Sequence, residues 1–438
     1  MKFSLRHQST GIIYRYIVPA GNLMLRGFMR KMYVHNRHGV PANTPVLLAS
    51  NHPTAFVDPC VLCVFLDPPL YNMTRGDIFK KPFFRRLLES INMFPVFRMR
   101  DGYGSRDRNE EVFEFCRQRL AHRGVVTIYV EGEHHLERRV RPIQKGIIRI
   151  AFGTLEQHHL DDLQIVPVSC NYVYGDRPRD EVMMNVGAPI FLRDYWVDYQ
   201  RDPNGATARL VADIESKLKT ICLHIDNPAD DDLAEQLLTL VRGNMAGSLV
   251  PIVEYQNKRF EAEKSLCDRL NALPGDEKAA LREAAKTYFN ALAARGLHDD
   301  ALVHPEWGAW GRLLFFALGL APMVLGRLGS LPVVALARYV TKKVVKKREF
   351  LSSVHMGVGF LWGMLYYLLW FLASLPTGNP WWIALSMVLP VLGWFDMFYR
   401  ENWVRWRRAR RALRHSDRNM LLGLRQVLQQ HKAFVKRT

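Results

Sequence analysis

The chain has 438 residues, enough for two or three domains, and its 60 Lys and Arg against 42 Asp and Glu leave a net charge of +18. The excess is concentrated: residues 401–438 hold eleven basic and two acidic side chains, and Lys342, Lys343, Lys346, Lys347 and Arg348 add five more positive charges. Each block flanks a strongly apolar segment. That is the pattern of the positive-inside rule, not of a basic face with stacking aromatics, so membrane lipids are the expected partners and nucleic acid is not.

Residues 1–40 are expected to form amphipathic, membrane-associated N-terminal helices. Ile12, Ile13, Tyr16, Leu23 and Phe28 alternate there with Arg15, Arg26 and Arg30, and a break is expected near Pro19–Gly21. Such a helix either lies in a membrane interface or packs on a domain core. Arginines interrupt its apolar runs, so no signal peptide is expected.

Residues 41–204 alternate apolar strands with helical stretches. The strand candidates are 45–50, 91–97, 124–130, 163–170 and 182–187; helices are expected over 56–66, 79–90, 107–122 and 143–157. This alternation predicts an α/β domain with a mainly parallel sheet flanked by helices. Pro167 inside Ile165-Val166-Pro167-Val168-Ser169 suits an edge or late strand. Of six cysteines, Cys60 and Cys63 form a C-x-x-C without a second pair, so they read as apolar helix-face residues, and no metal site is expected.

The chemistry gathers where strands end. Val46–Ser50 leads into Asn51-His52-Pro53-Thr54-Ala55-Phe56-Val57-Asp58-Pro59. A histidine with a nearby carboxylate is the minimum apparatus for removing a proton from a hydroxyl: the imidazole takes the proton and the carboxylate sets its tautomer. The same residues are also ordinary turn and cap composition. His52 and Asp58 are six positions apart, too far to stack on one face of a straight helix. Pro53–Ala55 must therefore fold back, and a hydrogen bond from Nδ1 to the carboxylate is expected. A second strand ends in Val96-Phe97-Arg98-Met99-Arg100, where an arginine fork suits a phosphate monoester. A third runs into Val130-Glu131-Gly132-Glu133, where the glycine admits close backbone approach. Arg138, Arg139, Arg141 and Lys145 then concentrate positive charge before the next helix, where a phosphate or a CoA would dock.

These stretches together resemble the glycerolipid acyltransferase family, the glycerol-3-phosphate and lysophosphatidic acid acyltransferases, over roughly residues 10–200. The family's Asn-His…Asp motif is similar to Asn51-His52…Asp58, with a longer spacing. Its Gly-x-Ile-Pro-Val-x-Arg appears as Asn92-Met93-Phe94-Pro95-Val96-Phe97-Arg98. Its Phe-Pro-Glu-Gly-Thr-Arg-Ser is reduced to Val130-Glu131-Gly132-Glu133, and its Val-Pro-Val strand stands intact at Val166-Pro167-Val168. The resemblance implies transfer of a fatty acyl group from a thioester, carried by CoA or by acyl carrier protein, to glycerol 3-phosphate or 1-acylglycerol 3-phosphate in phospholipid biosynthesis, with no other cofactor. It implies His52 as general base and Asp58 as its orienting partner. Asn51, Arg98, Glu131, Gly132, Arg138, Arg141 and Lys145 become acceptor-binding residues. Another lysolipid acceptor, or a non-catalytic lipid-binding membrane adaptor, stays open because the third motif is altered.

Residues 205–305 read as a polar helical region inserted after the α/β domain. Within 306–400, the segment 310–340 is interrupted by Pro322, Arg327 and Pro332 and is expected to be re-entrant. Segments 354–375 and 381–399 are long and apolar enough to span. The basic blocks around that pair, with 401–438 as a basic tail, predict a multi-pass membrane protein with its catalytic domain on the cytoplasmic face.

Overall fold

The computed structural model describes residues 12–76, 79, 81–96 and 105–434. These described residues divide into two compact units, the first formed by those within 12–222, 252–257 and 348–353 and the second by the others.

In the first unit the element order is α1 (Ile12–Phe28), β1 (Lys31–His35), β2 (Val46–Ser50), α2 (Val57–Phe65), β3 (Leu70–Arg75), α3 (Pro82–Ser90), β4 (Met93–Val96), α4 (Ser105–Ala121), β5 (Val125–Tyr129), α5 (Gly146–His158), β6 (Gln164–Tyr172), β7 (Glu181–Val186), β8 (Ile190–Phe191), α6 (Arg193–Arg201) and α7 (Pro203–Ile221). After an insertion, β9 (Val253–Glu254) completes a sheet of nine strands among the described residues, in the order β4-β3-β5-β2-β6-β7-β1-β9, with β8 on β6. All pairings are parallel except β6 with β7 and β6 with β8. The expected α/β fold with a mainly parallel sheet is present. The sheet also recruits Lys31–His35 from the segment read as N-terminal helix, and α7 from the segment read as the helical region.

Every residue of β2 is buried, as a central parallel strand covered on both faces requires. On one side Leu47, Val126 and Ile165 meet Ile147 and Ile150 of α5 and Leu210, Ile214 and Leu218 of α7, all fully buried. Each such side chain contributes about 1.5–3 kcal/mol of burial.

Two expectations about proline are corrected. Helix α1 runs unbroken through Pro19, because Tyr14 before it and Met24, Leu25 and Phe28 after it are buried on a shared face. That packing outweighs the roughly 3 kcal/mol cost of an interior proline. Strand β6 is central, not an edge. Pro167 falls where β8, paired to Gln164 and Ile165, has ended and β7, paired from Val168, has not begun. The Pro167 carbonyl accepts from Gly187 N on that side, so the missing N–H, which points the same way along a strand, leaves no rung of the β2 ladder unmade.

The second unit contains α8 (Asp231–Asn244), α9 (Lys258–Asn271), α10 (Gly275–Arg295), α11 (Asp299–Val303), α12 (Arg312–Val344), α13 (Leu351–Ser374, from Val354 onward), α14 (Pro380–Arg414) and α15 (Arg418–Gln429). Buried ion pairs tie its polar helices. Glu263, with no exposed surface, meets Arg242 at 2.9 Å and Arg259 at 2.6 Å. Burial alone would push this carboxyl up, but the two guanidiniums hold it at about 2.

Among the described residues three helices are long and apolar enough to cross a membrane: Arg312–Val344, Arg348–Thr377 and Pro380–Arg414. The first corrects the expectation of an interrupted segment, since α12 is one helix of 33 residues through both Pro322 and Pro332. Its backbone lies so close to α14 that a Cβ on Gly326 would stand 2.0 Å from the Leu392 carbonyl oxygen. Asp396 of α14 is buried in the same helix pair, with Arg400 at 2.7 Å and Arg327 of α12 at 3.8 Å. Gly326→Ala is therefore expected to force α12 and α14 apart and lower stability by about 1–3 kcal/mol. Thermal unfolding of detergent-purified protein checks this, with Gly357→Ala, at a glycine with open space around it, as the neutral control.

Candidate active site

Parallel pairing of β2 with β5 sets Ser50 opposite Tyr129, so the residues following each strand emerge together at one sheet edge. Ligands bind at that carboxyl edge in open α/β sheets. Val130 N donates to Ser50 O and His135 N donates to His52 O, at 3.1 and 3.3 Å, which seats the loop after β5 against His52.

Chain direction reverses between His52 and Asp58, and the hydrogen bond expected from the sequence is present: His52 Nδ1 lies 2.8 Å from Asp58 Oδ2. Asp58 has no exposed surface and sits in the first turn of α2, where amide dipoles favour a carboxylate. It also accepts from Thr54 N at 2.9 Å and from Thr54 Oγ1 at 2.7 Å. The Tyr172 hydroxyl stands 3.4 Å from Thr54 Oγ1. Thr54 thus makes the turn that the six-residue separation demands.

The His52 ring is held on both faces. Tyr129 stacks on it at 3.7 Å between centroids, nearly parallel at 13°, and His134 lies against it at 4.1 Å. With Nδ1 on Asp58 and both faces covered, Nε2 is the ring nitrogen left for a substrate.

The other sequence-derived residues divide. Glu131 is buried close by and accepts from Arg141 N at 3.1 Å. Burial pushes its carboxyl up to about 7, against the opposing pull of Arg141 and with a further push from Asp58. Gly132 has φ +74°, and a Cβ there would stand 3.2 Å from Gln144 Cγ, so the turn after Glu131 requires glycine. Asn51 works structurally: its Nδ2 donates to Cys170 O at 3.1 Å and its Oδ1 accepts from Cys170 N at 2.9 Å, clamping the loop to β6. Arg138 Nη2 donates to Val173 O at 2.9 Å. Arg141 bonds Glu137, and Arg139 Nη1 stands 3.6 Å from the same carboxylate. Lys145 is exposed at the N-terminus of α5. Arg98 lies outside the described residues.

Sequence reasoning missed His134, Tyr129 and Thr54. His134 occupies the place of the arginine in the third motif, so its position, though not its type, was a signal. Tyr129 and Thr54 had none beyond adjacency to the motif residues.

The α/β domain is similar to known proteins. Residues 31–171 match the family model described as Acyltransferase. An uncharacterized acyltransferase of Schizosaccharomyces pombe is 28% identical over 87 residues, 20% of this chain and 13% of that protein. Glycerol-3-phosphate O-acyltransferase 1 of Saccharomyces cerevisiae is 29% identical over 73 residues, 17% of this chain and 10% of that protein. The matches thus span only about a tenth of those relatives' lengths. The crystal structure of the 1-acyl-sn-glycerophosphate acyltransferase PlsC from Thermotoga maritima aligns with 47% of this chain and 80% of that one, at 15% identity and a TM-score of 0.34. Residues 31–171 thus form an acyltransferase domain by the family model they match.

Glu131 generates a pH prediction. Its folded-state value of about 7 lies above the ordinary 4.5, so its contribution to stability is complete below about pH 4.5 and is lost as pH rises through 7. Glu131→Gln removes that loss, and its stability relative to wild type is expected to improve by about 3 kcal/mol between pH 4.5 and 8. Denaturant unfolding of both proteins across this range measures it; a pH-independent difference contradicts the assignment.

Proposed function

We propose that the protein is a membrane-bound O-acyltransferase that moves a fatty acyl group from a thioester to the hydroxyl of glycerol 3-phosphate or 1-acylglycerol 3-phosphate. The observation that carries this is the buried His52–Asp58 pair at the carboxyl edge of β2, held at 2.8 Å.

A glycerol hydroxyl has a pKa far above neutral, so its proton must leave during attack. His52 Nε2 takes that proton as the hydroxyl oxygen bonds to the thioester carbonyl carbon. Asp58, fixed by Thr54, holds the tautomer that leaves Nε2 unprotonated and steadies the imidazolium. When the tetrahedral adduct collapses, the carbon–sulfur bond breaks and the proton on Nε2 passes to the departing thiolate. The products are the ester and the free thiol, with the base restored.

The acceptor phosphate is assigned to the arginines that follow the site. Arg139 and Arg141 both lie against the Glu137 carboxylate, so this loop gathers two guanidiniums of the kind that suits a phosphate monoester. Arg98 belongs to the same proposal from its motif. Buried Glu131, with the tight turn at Gly132, is assigned to positioning the glycerol. The donor, CoA or acyl carrier protein, is a soluble polar molecule while the product is a lipid. This division supports a catalytic domain on the cytoplasmic face, with α13 and α14 as spans and the basic blocks at 342–348 and 405–414 on that side.

His52→Ala is expected to lower kcat by roughly 10²–10⁴ with little change in KM for the thioester. Purified full-length protein, assayed with acyl-CoA and acyl-carrier-protein thioesters against glycerol 3-phosphate and 1-acylglycerol 3-phosphate, measures it and ranks the acceptors. Equal turnover by wild type and variant ends the general-base assignment. Absence of transfer in both, with lipid binding retained, favours the adaptor reading.

A further inference from the structure

A short stretch far from the matched domain folds with it. Arg348–Ser353 belongs to the first unit, although the chain on either side, through Lys347 and from Val354, belongs to the second. Its contacts fall on the loop between His52 and Asp58, on the loop after β5 and on the loop after β6. Ser353 Oγ accepts from Phe56 N at 2.7 Å, across 297 residues of chain. Glu349 O accepts from Ala55 N at 3.4 Å. Phe350 stacks on His134 at 5.0 Å, and His134 in turn lies on His52. Arg348 Nε and Nη2 donate to Asp176 Oδ2 at 3.2 and 2.5 Å, fixing the start of the stretch to the loop after β6.

The receiving end matters as much. Thr54 N is satisfied by Asp58, and Ala55 N and Phe56 N by the strap, so the amides of the turn between His52 and α2 are distributed between two sources. Phe56 is the N-cap residue of α2 and Asp58 is in that helix's first turn. Anything that sets Phe56 sets the carboxylate that holds His52. On the opposite side, four rings form a column, Tyr129–His52–His134–Phe350, and Phe350 is its outer end. A free His134 would be able to swing off His52; stacked on both faces it is not.

We propose that Arg348–Ser353 is a strap that completes the active site, with Ser353 and Phe350 as positioning residues for the His52–Asp58 pair. Ser353 acts through the N-terminus of α2, and Phe350 acts through His134. Neither touches the reacting atoms. The acyltransferase domain as its family model bounds it, residues 31–171, is on this view incomplete. Its catalytic loop is finished by the residues that open helix α13. The strap is covalently continuous with that apolar helix, so the anchor of the protein and the alignment of its base share six residues.

The kinetic half of the test rests on the acyl-transfer reading; the structural half does not. In full-length protein in detergent, Ser353→Ala is expected to lower kcat roughly fivefold or more, as loss of one hydrogen bond to a positioned group would, with both KM values held within about twofold. Ser353→Thr, which keeps the acceptor oxygen, restores it. Phe350→Ala is expected to lower kcat likewise, and Phe350→Tyr to retain it. Hydrogen exchange is read in parallel: the Ala55 and Phe56 amides are expected to exchange faster in Ser353→Ala, with β2, β5 and β6 unchanged. Faster exchange at these two amides supports the strap even if wild type transfers no acyl group, a result that would defeat only the acyl-transfer reading. Unchanged exchange there, or wild-type kcat in both alanine variants of an active enzyme, overturns the proposal. Equal destabilisation of the whole sheet in both variants, without recovery in Ser353→Thr, reduces the strap to ordinary packing and also overturns it.

Discussion

The site depends on one carboxylate that has no contact with water. Asp58 meets His52 Nδ1, Thr54 N and Thr54 Oγ1, and these three donors replace what solvation would have supplied. A buried carboxylate so satisfied does more than orient an imidazole. It dictates the turn that precedes it, because Thr54 must present both its amide and its hydroxyl to the same group. The turn fixes where His52 leaves β2, and the first turn of α2 fixes where Asp58 stands. The His52–Asp58 pair is thus assembled from a strand end, a turn and a helix start within seven residues, each holding the others.

Around that centre the sheet supplies convergence. Parallel register between β2 and β5 makes the ends of the two strands coincide, so His52 and Glu131 arrive side by side although 79 positions separate them in the chain. Strand β6 on the other side offers the Cys170 backbone to Asn51. The proline that would weaken a central strand is placed where β8 hands over to β7. A parallel sheet suits this task because its strand ends can all be loaded on one edge while both faces stay buried.

What the sequence made legible follows the range of each signal. The alternation of apolar runs announced the α/β domain, since five strands and four helices each left a local pattern. The His52–Asp58 contact was legible because only a folded-back turn brings that spacing together, and Thr54 is a residue that builds such turns. Strand β1 was hidden: Lys31-Met32-Tyr33-Val34-His35 sits among arginines and reads as a continuation of the helix before it. The proline signals misled at Pro19, Pro322 and Pro332 for one reason. Proline's local cost of about 3 kcal/mol is visible in sequence, whereas the packing that offsets it is not. The arginines after Gly132 were read as one phosphate site, but Arg138 is partly committed to the Val173 carbonyl. Arg348-Glu349-Phe350 reads as the end of a basic block, and nothing within a window of twenty residues ties it to a motif three hundred positions earlier.

Two carboxyls near one strand edge divide their labour by environment. Asp58 meets three donors, while Glu131 is buried with a backbone amide from Arg141 and the fields of Arg141 and Asp58 pulling against each other. Burial is what chiefly raises Glu131 to about 7, and the charge of Asp58 adds a smaller push in the same direction. A protonated Glu131 donates a hydrogen bond and an ionised one accepts it, so near pH 7 the same side chain serves either polarity. Under the proposed function such a group suits a polyol acceptor, each of whose hydroxyls both donates and accepts, while Asp58 keeps to orienting the imidazole.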